Sequence, residues 1–423
     1  EAVAPTSVVG SGTPASCTQA ALAAAVAAGG VIGFDCGPAP VTIEVSSTLE
    51  VVTDTVVDGA HRVTLDGGGA TRLFSVPSVF TFGTPTLTVQ RIQLTRGSSA
   101  GLGGDDTERG GGAIWTRGGS LRLLEVTITD SHGPASGQDV AGGAVYAVGV
   151  GSVEIADSVL RGNGASNGGA IGVLHGDLAI ADTVIESNAA TGTGGNPGNG
   201  GNGGGIYVDG VGQDVSLCGV LLADNAANAF GGGLFRVSND GVGAMAIHRS
   251  VVRDNHIPDH SPSMAGGLYL QGVQIVLTRS TIARNRARSA GGLFVGPNGT
   301  TLTMENVTVA ENVALSSLAG GVAISSGVTG SIRHVTFARN AAPGPLAFAG
   351  ATTGGQGVTL RATIVDGHVA GNGWNPISCL HPFEEGGANL QWPVARAGGG
   401  SDVPGALCSP SVAGAAAALG PLL

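Results

Sequence analysis

Lysine is absent from this chain, and all 19 basic residues are arginine. Charged residues reach only 12% of 423 positions, about half the usual share, and aromatics only 4%. A net charge of −11 with no basic stripe excludes a nucleic-acid backbone binder, and no Arg cluster is dense enough to hold an anionic membrane. The densest basic run, Arg284, Arg286 and Arg288 beside Arg279, reads as a solvated turn. No apolar run can span a bilayer. The longest, 20–34, has 15 residues and is broken by Gly29, Gly30 and Gly33. Long helices are excluded too, because Gly supplies 76 residues and is costly inside a helix. The glycines follow no strict triplet period, which excludes collagen.

What remains is a β-rich, turn-dense chain. Its hydrophobic share of 42%, much of it Val, Ile and Leu, is enough for a core and argues against disorder. Five cysteines stand outside CxxC or His-ligand spacing, so zinc is not expected. Cys17 and Cys36 bracket one short segment and Cys379 and Cys408 another, which points to two local disulfides formed in an oxidising compartment. Closing the N-terminal loop would contribute roughly 3 kcal/mol. Cys218 is left over in the apolar stretch 215–220 and is expected to be buried and free. A start at Glu1 without Met fits a mature secreted product.

Internal repetition dominates the sequence. A Gly-Gly or Ala-Gly-Gly step followed by an aliphatic residue recurs before Ile114, Val145, Ile171, Ile206, Leu234, Leu268, Leu293 and Val322, at intervals of 25 to 35 residues. Midway between these steps an aliphatic residue precedes Asn by three positions, giving Asn163, Asn188, Asn225, Asn255, Asn285, Asn312 and Asn340. In the last copy Phe337 takes the aliphatic place. Each unit holds short runs of period-two alternation, such as 152–156 and 301–304, punctuated by Gly, Asn and Asp. A unit of about 30 residues cannot bury its own apolar face, but stacked units share a continuous core. The expected fold is all-β: a single-stranded parallel β-helix of about ten coils. The Asn residues would then bond to one another from coil to coil, and the Gly-Gly steps would supply backbone angles closed to other residues. Residues 1–46 read as an N-terminal cap with a short Ala-rich helix over 18–28, 47–374 as the β-helix, and 375–423 as a C-terminal cap.

These residues carry a resemblance. The pairing of GGAI with aliphatic-x-x-Asn resembles the repeats of chlamydial polymorphic outer membrane proteins. The stretches 17–22, 31–36 and 64–69 are similar to secreted bacterial right-handed β-helix proteins of the pectin-lyase-like superfamily. The stretch 386–393 is similar to the tail of choice-of-anchor surface proteins. The resemblance implies a right-handed helix and export to the bacterial surface or medium. It leaves activity open, because the fold hosts lyases, hydrolases, adhesins and spacers alike.

Two catalytic templates come with the resemblance. Uronate lyases that use Lys as base are excluded by its absence; those using Arg need an outward Arg beside carboxylates, and Arg249, Arg279 and Arg253 with Asp254 are the nearest match. Galacturonan hydrolases pair Asp residues with a Gly-His-Gly turn, which Asp105, Asp106 and 131–133 match only in part. Four long insertions, 97–110, 132–141, 189–202 and 256–265, leave one corner of the coil and should gather on one side. The last holds His256, Asp259 and His260, which have the composition of part of a metal site. A polar loop accounts for them as well, so neither metal nor cofactor is expected.

The sharpest signal is aromatic. The residues after the aliphatic of each step are Trp115, Tyr146, Gly172, Tyr207, Phe235, Tyr269, Phe294 and Ala323, in a chain with only 3 Trp, 3 Tyr and 10 Phe. Their neighbours on either side are mostly aliphatic, and strand alternation then sends the rings outward, one per ~4.8 Å coil. An internal aromatic stack is the alternative, and Arg236 in the otherwise apolar inward row fits the outward phase least. An exposed ring stripe would bind a glycan, a neighbouring rod or one of the chain's own loops. The expected function is therefore an extracellular or surface rod for binding, adhesion or assembly through Trp115, Tyr146, Tyr207, Phe235, Tyr269 and Phe294. A secreted polysaccharide lyase or glycoside hydrolase is the alternative.

Overall fold

The structure, a computed structural model, describes residues 4–297, 299–344, 346–371, 376–394, 407–415, 417, 419 and 420. The chain is a mostly-β parallel solenoid of about 13 turns with few helices and two disulfides. It divides into two compact units, Glu1–Val208 and Asp209–Leu423. Among the described residues no helix is long and apolar enough to cross a membrane.

Each turn exists because its apolar residues alternate. In the second unit Leu222, Val252, Ile282, Val309, Phe337 and Val365 occupy one column in strict parallel register, all essentially without solvent exposure. Each such side chain contributes about 2 kcal/mol through burial. In the first unit Ile128, Leu160 and Ile185 form the equivalent column.

The turn count exceeds the expected ten because the terminal turns lack the sequence landmarks. Strands Ser7–Val9 and Gly30–Phe34, within the stretch read as a cap, already pair in parallel with each other and on to Thr55–Asp58. Leu390–Trp392 continues the pairing beyond Ile364–Asp366 and is followed by Ala413–Gly414. The expected boundary at Asn375 lies outside the described residues. The helix runs Gln19–Ala28, capped by the Thr18 hydroxyl accepting from the Ala21 N–H, and buries Leu22 and Val26 against the first turns. Disulfides join Cys17 to Cys36 and Cys379 to Cys408. Cys218 is free but half-buried rather than buried, since the Arg249 guanidinium sits 3.2 Å from its sulfur on the outer face.

The asparagines form a buried amide ladder. Each Asn N–H and Nδ2 donates to the Oδ1 of the Asn one coil on, at 2.9–3.0 Å from Asn225 through Asn255, Asn285 and Asn312 to Asn340. The ladder is longer than its Asn residues. Ser131 begins it in the first unit by donating to Asn163, and His368 ends it in the second by accepting from the Asn340 N–H at 3.1 Å. Both keep the aliphatic-x-x spacing, from Ile128 and Val365.

His368 makes this end acid-sensitive. Burial holds its imidazole down to about 4, because a charged ring has no water there. In the unfolded chain the ring titrates near its ordinary 6.5, so below that pH the unfolded state gains a proton that the folded state refuses. Stability is therefore fully present above pH 6.5 and falls by about 3 kcal/mol as pH drops to about 4. Urea titrations of the native chain and His368→Asn across this range test it. The variant should lose most of this slope, and equal slopes would refute the assignment.

Candidate functional site

The ring row lies outside the coil, and the partners of its polar atoms establish this. Trp115 Nε1 donates to the Thr107 carbonyl at 2.8 Å, and the Arg72 guanidinium lies 5.2 Å over its ring. The Tyr146 hydroxyl donates to the Asp139 carbonyl, and Asn196 Nδ2 donates to the Tyr207 hydroxyl at 3.2 Å. Thr107, Asp139 and Asn196 belong to the first three insertions. In the first unit these insertions do gather, joined by the Asp139 N–H donating to Asp106 at 3.3 Å and the Thr191 hydroxyl donating to the Ala135 carbonyl at 3.1 Å. They close over the rings. Trp115, Tyr146 and Tyr207 are buried as a result, covered by the chain's own loops, one of the three occupants the sequence left open, and Phe235 in the second unit is buried as well. Arg236 does point inward: it is fully buried and donates to the Gln213 carbonyl at 2.7 Å.

In the second unit the row is open. Phe235, Tyr269 and Phe294 follow one another with centroids 5.1 and 4.8 Å apart and interplanar angles of 20° and 31°. Phe230, five residues earlier in the same coil as Phe235, lies over both Phe235 and Tyr269 at 6.4 and 5.3 Å, which is what closes off Phe235. Phe230, Tyr269 and Phe294 stay half-buried. Burial raises the Tyr269 phenol above its ordinary value, and its hydroxyl donates to Gln271 at 3.1 Å.

The row then breaks. Phe294 pairs with Ala323, and Val322 bridges Thr352, which sets Thr353 as the next residue of the row. Two small residues in succession leave a recess of about 460 Å³, with Phe294 and Leu318 as walls and Ser325, Gln356 and His381 on its rim. Thr353 is held by its hydroxyl, which accepts from the Ile324 N–H at 2.9 Å. The floor is therefore fixed and apolar and the rim polar, an arrangement suited to a ring-shaped ligand with an apolar face and hydroxyl edges.

The other sequence candidates are held in structural roles. Burial opposes charge on Asp254, but hydrogen bonds from Arg284 and Arg253 outweigh it and keep the carboxyl below its usual range. Arg284, read from the sequence as part of a solvated turn, grips both oxygens at 2.8 and 2.9 Å. An arginine so engaged has no free pair to act as a base, and Arg249 and Arg279 take the same left-handed corner position one coil apart, with φ of 48° and 51°. Asp105 caps the short helix Asp106–Arg109, and the Thr107 hydroxyl lowers its carboxyl. Asp106 pairs with Arg109 at 3.2 Å, and His132 is exposed at the start of its insertion. His256, Asp259 and His260 are exposed, and among the described residues no three His, Cys, Asp or Glu side chains converge to hold a metal ion.

Two solved structures are similar to this chain. The A-module of Azotobacter vinelandii mannuronan C-5 epimerase AlgE6 is similar with a TM-score of 0.56 and 14% identity, over 91% of this chain and 96% of that one. The A-module of AlgE4 from the same organism is similar with a TM-score of 0.49 and 14% identity, over 88% of this chain and 99% of that one. No curated protein matches the sequence. Residues 92–365, more than half of the chain, match the family described as the right handed beta helix region, and the chain belongs to that family.

Proposed function

We propose that this chain recognises a polysaccharide, with sugar rings stacked on Tyr269 and Phe294 and one ring seated in the recess above Ala323. The observation that carries this reading is the break in the row: rings at coil spacing lead into a fixed apolar floor with a polar rim. Rigid aromatic faces supply contact area at low entropic cost. The two disulfides favour an oxidising, extracytoplasmic setting, where such a protein would serve in adhesion or assembly at a cell surface.

A second reading, a carbohydrate-active enzyme, draws support from the likeness of fold to an epimerase module. Among the described residues that line the recess, His381 is the titratable one, so acid–base turnover would need a second group beyond them. Incubation with uronate polymers separates the two readings. Unsaturated or C5-inverted sugars in the product would establish the enzyme, and tight binding without product would favour recognition alone.

Phe294→Ala is expected to weaken glycan binding about tenfold, the loss of one stacked ring, with the fold intact. Trp115→Ala should instead destabilise the first unit by about 3 kcal/mol and leave affinity alone, because that ring already serves its insertion. Isothermal titration against a glycan panel reads both, and unchanged affinity in Phe294→Ala for every ligand bound would end the ring reading.

A further inference from the structure

Along the corner that carries Asp254, Arg284, Glu311 and Arg339, the arginines are neutralised from coil to coil: Arg253 and Arg284 on Asp254, and Arg339 on Glu311. Strand Arg286–Ser289 breaks this rule. Ala287 is buried in the core, so alternation turns Arg286 and Arg288 to the outside, and neither forms an ion pair among the described residues. The backbone bridges from Ala226 to His256 and from His256 to Arg286 stack an exposed imidazole one coil from Arg286, and the next residue in that column is Val313. No carboxylate occupies the column. Asp259, the acid on the adjoining insertion, is engaged by the Ser316 hydroxyl at 3.2 Å. An acidic chain thus keeps two outward arginines on one strand without an ion-pair partner among the described residues.

The strip lies close to the recess along the chain. Ser289, directly after Arg288, is hydrogen-bonded to Ser317, and Leu318 beside Ser317 forms a wall of the recess. A polymer seated against Phe294 would pass one corner from the guanidinium groups.

We infer that Arg286, Arg288 and His256 form an anion-recognition strip that selects polysaccharides carrying carboxylate or sulfate groups along the chain. The nature of the polymer rests on the carbohydrate reading above; the strip itself rests on unpaired charge at fixed spacing. Guanidinium forks match both anions in a bidentate manner, and a net charge of −11 opposes the longer contact that nucleic acid would need.

The test compares the full chain with Arg286→Gln/Arg288→Gln and Phe294→Ala, titrated with polygalacturonate, dextran sulfate and unmodified dextran. Native affinity for one or both anionic polymers should exceed that for dextran and fall as salt rises from about 50 to about 500 mM. The polymer that responds identifies carboxylate or sulfate as the anion. The double variant should lose about tenfold on that polymer and nothing on dextran. Dextran bound as tightly as dextran sulfate and polygalacturonate, or a double variant indistinguishable from native, overturns the strip and leaves the ring reading standing. Loss in the double variant with none in Phe294→Ala leaves the strip standing without the ring reading. Binding to neither anionic polymer, or equal binding to duplex DNA, also overturns the inference.

Discussion

Gly291→Ala is expected to cost more than about 3 kcal/mol and to open the coils around it. A Cβ at this position would lie 2.4 Å from the Gly320 carbonyl oxygen and 2.5 and 2.6 Å from the Val313 nitrogen and carbonyl carbon. All three are backbone atoms of the next coil and cannot swing away. Gly266 and Gly320, the same position one coil before and after, meet neighbouring backbone at 2.4 Å as well. The residue before Gly291 gives the control. Ala290 holds a left-handed φ of 55°, which costs an alanine about 1 kcal/mol, so Ala290→Gly should be neutral or slightly stabilising. Urea denaturation with hydrogen exchange on this region reads both. A Gly291→Ala chain as stable as the native one would show that coil-to-coil contact does not fix this position.

This pair also shows what the sequence could and could not tell. The Gly-Gly step was legible as a repeat, but its reason was only half legible. The first position needs a left-handed backbone and accepts Ala, as at Ala265 and Ala290. The second needs empty space, which depends on a strand some 25 residues away. The amide ladder was visible because Asn is distinctive at fixed spacing. A second ladder at the other corner was not, because it mixes residue types. There the Val220, Ser250 and Ser158 N–H groups donate to the hydroxyls of Ser250, Ser280 and Thr183, and the Thr363 N–H to Asn389.

The ring row was legible in phase but not in exposure. Strand alternation placed Trp115, Tyr146 and Tyr207 outward, yet nothing in the residue order says where an insertion of ten or more residues will land. The insertions land on the rings because bare aromatic surface is costly in water and each ring offers a polar atom as an anchor. Where the row stays open, the insertion of that unit is tied elsewhere, Asp259 bonding to Ser316. The break that makes the recess, Phe294 followed by Ala323, was already in the sequence. Its meaning needed the third dimension.

Asn285→Leu is expected to be the most damaging exchange of similar size in the second unit, at about 3–5 kcal/mol. Asn285 donates through Nδ2 to the Val252 carbonyl at 3.0 Å and to Asn312 Oδ1 at 2.9 Å. Its own Oδ1 accepts from the Asn255 N–H at 3.0 Å and from Asn255 Nδ2 at 2.9 Å. Leucine fills the volume but ends all four bonds. The Asn255 N–H is then left in a dry interior without a partner, at a cost of about 1–3 kcal/mol, and the Val252 carbonyl keeps only its strand-ladder bond. The loss should also spread, since bonds in a chain polarise one another and Asn255 must re-aim its amide. Paired exchange of Asn255 and Asn285 should accordingly cost less than the two single changes added together, because the second substitution removes a side-chain donor that the first had orphaned. Thermal and urea unfolding of the two single variants and the double variant measures this. Additive losses would show that each asparagine serves its own corner and that no ladder acts as a unit.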